Sequence, residues 1–255
     1  MEPFLDRVSF GGSPDATRPA ARSFVGQARF DGCIAFTNWT RKDVAALLPP
    51  DVRLAANTTS TPHLHPVVFV FGEHSRGTLL FGGLAVPTGI AYFEFGMAIP
   101  FVEDRGGLGV YVPRMYASWF PPVWSGNVHY GFAKRLARMG WHGSVFVVGS
   151  DAEGLLLHAA AEPAGGWSPG SGCGLPHFAA LRETFSLPIV GRRDDGSLVR
   201  SFFDWGFDTA MVRPADSCIS IDGPVLDGLA PRRCHDAPAG TFEVRGMVWR
   251  LSWPA

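Results

Sequence analysis

The sequence predicts an α+β fold: a single domain dominated by antiparallel β-strands, with a few short helices. Three observations carry that expectation. Short apolar runs rich in Val, Ile, Leu and aromatic residues recur along the chain, each bounded by Gly, Pro or a charged turn. Hairpin signals stand at Asp104-Arg105-Gly106-Gly107 and at Asp195-Gly196. Helical patterns are few and short, and neither a repeat nor a composition break divides the 255 residues.

The elements follow in order. Residues 1–22 are rich in Pro, Gly and Arg and read as a loose N-terminal arm. Arg29–Trp39 reads as a strand, after which Thr40 is an N-cap with Asp43 as its capping-box partner. Val44, Ala45, Leu47 and Leu48 carry that short helix until Pro49-Pro50 ends it. Strands are expected at Pro66–Phe71, Leu79–Ala85, Ile90–Ile99 and Leu108–Tyr111. Residues 77–93 carry no charge, but Gly82, Gly83, Pro87 and Gly89 interrupt them and Glu94 follows at once. Two buried strands joined by a turn fit that stretch better than a membrane span. Residues 121–126 read as a loop and 127–140 as a loop entering a short helix closed by Gly140. A strand at Ser144–Val148, an irregular segment over 163–176 and a helix over 177–186 come next, and the remainder returns to strands.

Composition excludes several classes of function. With 46% hydrophobic and 18% charged residues the chain is not disordered, and a net charge of −1 gives no global attraction to nucleic acid. The N-terminus carries Glu2 and Asp6 and no apolar signal segment, so a cytoplasmic protein is expected. The four cysteines lie far apart, which predicts free thiols. No phosphate loop, dinucleotide fingerprint or Gly-x-Ser-x-Gly elbow is present. His63-x-His65 reads as a surface-loop pair rather than a metal site, because no third ligand stands at a recognised spacing. Cys234-His235-Asp236 reads as a loop cluster, since neighbours in sequence cannot face one another as a catalytic triad must.

Basic residues hold the sharper signal. Of the 22, only two are lysines, Lys42 and Lys134. Lys42 falls in the exposed first turn of the short helix. Lys134 stands in Tyr130-Gly131-Phe132-Ala133-Lys134-Arg135-Leu136, with apolar neighbours on one side and a permanent cation on the other. On a solvated amphipathic helix it would be an ordinary surface lysine. Turned inward, desolvation and the adjacent guanidinium would favour the neutral amine, which attacks carbonyls to form an imine. A chain that uses Arg at nearly every basic position has reason to keep a titratable amine here.

Residues 91–140 resemble the core of the acetoacetate decarboxylase superfamily. Its Tyr-x-Glu run followed by Gly-x-Ala-Ile-Pro is matched by Tyr92-Phe93-Glu94-Phe95-Gly96-Met97-Ala98-Ile99-Pro100. Its strand ending near Met-Tyr is matched by Gly109-Val110-Tyr111-Val112-Pro113-Arg114-Met115-Tyr116. Its Gly-led segment ending in aromatic-Pro-Lys-Lys-Leu is matched by Gly126 to Leu136. The resemblance implies an antiparallel barrel-like sheet, no cofactor or metal, and assembly into a homo-oligomer. It implies Lys134 as the imine-forming nucleophile, Arg135 as the second cation that acts on it, and Glu94 as a proton shuttle or orienter. A rim carboxylate paired with an arginine is the plainer reading of Glu94. Tyr92, Met97, Tyr116 and Phe132 are the implied substrate contacts. Arg29 is the nearest residue to an N-terminal family arginine. Departures stand out: Lys-Lys is Lys134-Arg135, the preceding proline is Ala133, and a second family glutamate would fall at residues 79–82, where there is no acid.

The expected activity is therefore that of a lyase joining Lys134 to a small-molecule keto acid or ketone, with decarboxylation of a β-keto acid as the default reaction. Aldol condensation with dehydration, or cyclisation of a larger polyketide-like substrate, is the alternative. The aromatic residues Tyr92, Tyr116, Trp119, Phe120, Trp124 and Phe132 favour a larger, more apolar substrate than acetoacetate. A third possibility, of another class, is a binding protein that has kept the pocket and lost the chemistry. Neither nucleic acid nor membrane is an expected partner.

Overall fold

The computed structural model describes residues 23–56, 62–82, 84–150, 154–175, 177–221, 234–236 and 240–255. The N-terminal arm expected over 1–22 lies outside these residues. The chain begins β1 (Phe24–Thr40), α1 (Arg41–Ala45), β2 (Arg53–Leu54), β3 (Leu64–Phe81), β4 (Leu84–Pro87) and β5 (Tyr92–Asp104). It continues through β6 (Gly107–Ala117), α2 (Phe120–Tyr130), β7 (Lys134–Leu136), β8 (Arg138–His142), β9 (Val145–Ser150) and β10 (Gly154–Pro163). The last part holds β11 (Ser168–Pro169), α3 (Phe178–Ser186), β12 (Ile189–Arg192), β13 (Leu198–Ser201) and β14 (Phe203–Gly206). It ends with β15 (Met211–Ile221), β16 (Cys234–Asp236) and β17 (Thr241–Ser252).

These strands join one curled, half-barrel sheet. The long β1 pairs antiparallel with β3 on one side and β17 on the other, and β3 continues to β5 and β5 to β6. Only β6 has parallel partners among the described strands, the short β7 and β12. Gly32 and Gly72 face each other where β1 and β3 pass close together; a Cβ on either would stand 2.4 Å from a carbonyl oxygen of the other strand. Both hairpin turns are present, Arg105-Gly106 between β5 and β6 and the Asp195-Gly196 turn between β12 and β13.

Alternation explains why the strand at Pro66–Phe71 reads as an unbroken apolar run: both of its faces are buried. Val67, Phe69 and Phe71 join one core with Cys33, Phe95 and Met97. Val68 and Val70 face a second core with Phe30, Ile34 and Trp249. Within this second layer the sheet encloses a cavity.

Several expectations are corrected. The helix placed after residue 127 runs instead over Phe120–Tyr130, the region read as a loop. Pro121 and Pro122 do not break it, because a proline in the first turn needs no N–H partner and its φ already suits a helix. Gly131, with φ +63°, closes it, so Lys134–Leu136 becomes a strand and Gly140 lies inside β8. The hairpin of β3 and β4 exists, but Leu79, Phe81, Leu84 and Val86 are exposed rather than buried. His65 is fully buried in β3, its Nε2 2.7 Å from the Pro100 carbonyl oxygen, so it is not a loop residue. Burial lowers its pKa, which leaves a neutral ring that donates to that carbonyl. Cys234-His235-Asp236 is the strand β16, paired with β15. Cys218 is disulfide-bonded, whereas Cys33 and Cys173 are free thiols as expected. Among the described residues no helix is long and apolar enough to cross a membrane.

Candidate active site

Lys134 begins β7 at the point where α2 has just turned back toward the sheet. Its backbone is held by one side chain: Asn127 Oδ1 accepts from the Lys134 N–H at 2.6 Å, and Asn127 Nδ2 donates to the Lys134 carbonyl at 2.9 Å. An amide side chain thus pairs with a peptide as a neighbouring strand would. The aliphatic stem lies on Gly126, where a Cβ would stand 2.7 Å from Lys134 Cδ. Ala133, just before it, has φ +46°, in the left-handed region where a residue with a Cβ is strained. A proline, expected here from the family pattern, is fixed near −65° and cannot adopt that conformation. The Lys134 side chain is 8% exposed, with its ammonium 5.8 Å from the Phe132 ring centre.

Glu94 meets it from β5. Lys134 Nζ donates to Glu94 Oε2 at 2.6 Å. The second oxygen, Oε1, lies 3.5 Å from His74 Nε2, which has no nearer partner among the described residues. Trp249 Nε1 donates to His74 Nδ1 at 2.8 Å, so Nδ1 is unprotonated and the ring hydrogen sits on Nε2, facing the carboxylate. The His74 ring also stacks on Tyr92 at 5.1 Å and 21°. Burial pushes the Glu94 carboxyl up, but the Lys134 charge and His74, together with hydrogen bonds from both, outweigh it and bring the pKa down to about 2. Tyr92 is held well above 10 by burial, by the Glu94 charge and by its hydrogen bond to that carboxylate, so it is a neutral donor.

This cluster forms one end of a cavity of about 600 Å³. Its walls come from β1, β3, β5, β6 and β17, from α2, and from β14 with its stacked Phe203 and Trp205. Trp124 and Trp253 stand at the mouth, each about half exposed.

The acetoacetate decarboxylase (ADC) family model matches residues 13–165, more than half of the chain and the part that holds both Glu94 and Lys134. The chain belongs to this family. No curated protein matches the sequence. The fold is similar to that of the enduracididine biosynthesis enzyme MppR in complex with pyruvate, at 13% identity and TM-score 0.59, over 95% of this chain and 94% of that one. It is similar also to an acetoacetate decarboxylase from Legionella pneumophila, at 14% identity and TM-score 0.56 over 96% and 92%. An acetoacetate decarboxylase-like enzyme from Sphingomonas wittichii RW1 gives 11% identity and TM-score 0.58 over 92% and 94%. MppR has also been solved with the condensation product of pyruvate and imidazole 4-carboxaldehyde.

Of the residues that the family resemblance singled out, the fold brings Lys134, Glu94, Tyr92, Met97 and Phe132 to the cavity. Three others do not line it, and strand alternation is the common reason. Arg135 follows Lys134 along β7 and therefore goes to the opposite face. Tyr116 is 1% exposed in the other core layer, while its neighbour Met115, paired in register with Lys134, faces the cavity. Arg29 lies beside the cavity-lining Ala28 and bonds Asp31 at 2.7 Å instead. His74, Asn127 and Trp249 were missed. His74 pairs with Tyr92 in register, and the pairing of β3 with β5 is needed to see that it stands beside Glu94. Among the described residues no cluster of three or more His, Cys, Asp or Glu side chains could hold a metal ion.

Proposed function

We propose that the protein is an imine-forming lyase in which Lys134 is the nucleophile and decarboxylation of a β-keto acid is the leading reaction. One observation carries this: the side chain of Lys134 is buried at the end of a largely apolar cavity, in contact with a carboxylate at 2.6 Å. The ammonium must lose a proton before it attacks, and Glu94 is the base in contact. The neutral amine adds to the carbonyl carbon, Glu94 returns the proton to the hydroxyl so formed, and loss of water leaves a protonated imine beside a carboxylate that is ionised again. The bond to the carboxyl carbon then breaks, its electron pair moves to the iminium nitrogen, carbon dioxide leaves and an enamine remains. Protonation of the enamine carbon and hydrolysis release the ketone and restore Lys134. Glu94 is ionised over the ordinary pH range and stabilises the iminium by its charge. His74 and Tyr92 hold that carboxylate in place.

A second reading, aldol condensation with dehydration, is favoured by one feature, a cavity large enough for two reactants. The MppR complex with a condensation product is in keeping with it.

Intact mass after sodium borohydride tests both. Wild type incubated with β-keto and α-keto acids is expected to gain a stable adduct that Lys134→Ala lacks, and the added mass tells whether the carboxyl group has left. Folded protein that gains no adduct from any of these acids, while Lys134 reacts readily with an acylating reagent, would make it a binding protein instead.

A further inference from the structure

We infer that the substrate carries, on the side of its carbonyl away from the reacting carbon, a bulky uncharged aryl group, and that the cavity excludes a second carboxylate. The inference rests on Lys134 forming the imine. Among the described residues the cavity is lined by no arginine and no aspartate, and its only formal charges are Lys134 and Glu94. Those two already neutralise each other at 2.6 Å. A carboxylate adjacent to the carbonyl can lie against the iminium. One held against the apolar walls between that pair and the exposed mouth would be buried without a counter-charge, which costs several kcal/mol or forces it to take up a proton.

The walls beside and beyond that pair offer aromatic faces instead. Phe132 stacks on Tyr130 at 5.3 Å, and Phe203 stacks on Trp205 at 5.0 Å and lies 5.3 Å from Trp249. Trp253 continues the wall to the mouth, 5.3 Å from His129. Together they form a continuous aromatic surface that begins beside Lys134. A cavity of about 600 Å³ would be mostly empty around a small keto acid, and its size is that of pockets enclosing ligands with ring systems.

Three methyl ketones that differ only at the far end test this: levulinate (a carboxylate), methyl butyl ketone (an alkyl chain) and benzylacetone (a phenyl ring). In borohydride trapping of wild type, benzylacetone should reach half-saturation at a concentration at least about tenfold below levulinate, with methyl butyl ketone between them. Phe203→Leu keeps most of the volume and removes the ring; it should raise the benzylacetone value about fivefold and the levulinate value by much less. Levulinate trapped at an equal or lower concentration than benzylacetone, or a Phe203→Leu protein that does not discriminate, overturns the inference. If no ketone gives an adduct, imine formation itself has failed, and quenching of tryptophan fluorescence decides the inference separately. Saturable quenching by benzylacetone but not by levulinate upholds the aryl site, and any other pattern rejects it.

Discussion

The two ends of the cavity are built by opposite means. At the inner end the polar contacts are directed ones: two bonds between Asn127 and the Lys134 backbone, one from Lys134 to Glu94, one from Tyr92 to Glu94, and one from Trp249 to His74 behind them. At the mouth Trp124 and Trp253 are half exposed and touch His129 ring to ring, at 5.5 and 5.3 Å. Directed bonds fix a position to a fraction of an ångström, whereas ring contacts tolerate sliding. The inner end should therefore set the rate and the mouth the affinity, and substitutions at each end can be used to separate the two.

The largest expected effect is that of Lys134→Ala on the inner end itself. Adduct formation should be lost entirely, but the change in stability is more informative. In the wild type the Glu94 carboxyl, at about 2 against an ordinary 4.5, contributes stability that is fully present above pH 4.5 and is lost as the pH falls through 2. Without the ammonium, burial becomes the dominant influence and pushes Glu94 up. At pH 7 the variant should be less stable by roughly 3 kcal/mol, the cost of leaving one member of a buried pair without its partner. As its raised pKa is approached from above, the variant should regain stability while the wild type does not. Urea titrations between pH 4.5 and 8 measure this; parallel curves for the two proteins would mean that Glu94 is solvated and the inner end is not the sealed site described.

Intermediate effects should divide along the cavity. Asn127→Ala removes both bonds to the Lys134 backbone and is expected to lower the trapping rate about a hundredfold, with half-saturation nearly unchanged, because the amine is displaced rather than removed. Its cost in stability should be about 2 kcal/mol, near 1 for each bond. Trp253→Ala at the mouth should do the reverse, raising half-saturation about fivefold with little change in the maximal rate. Rate and half-saturation moving together in both variants would erase the distinction between the ends. Asn127 would then be a structural residue rather than a positioning one.

The contrast also explains what was legible in the sequence. The sheet was legible, because hairpin turns and apolar runs are local signals. The resemblance to the family named Glu94 and Lys134, but not their contact, since the plainer reading gave Glu94 an arginine partner on the rim. What could not be read is which side of the sheet a residue faces, since a shift of one position reverses it. Tyr116 and Met115 exchanged places for that reason, and Arg135 turned away from its neighbour. The bonds that organise the inner end come from residues remote in sequence: His74 lies 175 positions from Trp249 and enters only through strand pairing. Asn127 was hidden by a different error. With Pro121-Pro122 taken as a loop, the helix that presents it was placed too late.

The smallest effect is expected at Ala133, and it tests whether directed bonds alone hold the inner end. Its φ of +46° costs an alanine roughly 1 kcal/mol, a strain that glycine escapes. Glycine also loses more freedom on folding, by about 0.5–1 kcal/mol, so Ala133→Gly should change stability by less than about 1 kcal/mol in either direction. The trapping rate should nevertheless fall by about twofold to fivefold, because the residue before Lys134 gains conformations that carry the amine away from Glu94. A rate equal to wild type would mean that the Asn127 clamp suffices and that the strain at Ala133 is only a consequence of the turn from α2 into β7. A drop larger than that of Asn127→Ala would reverse the ranking and make the backbone at residue 133, rather than the clamp, the element that aims the lysine.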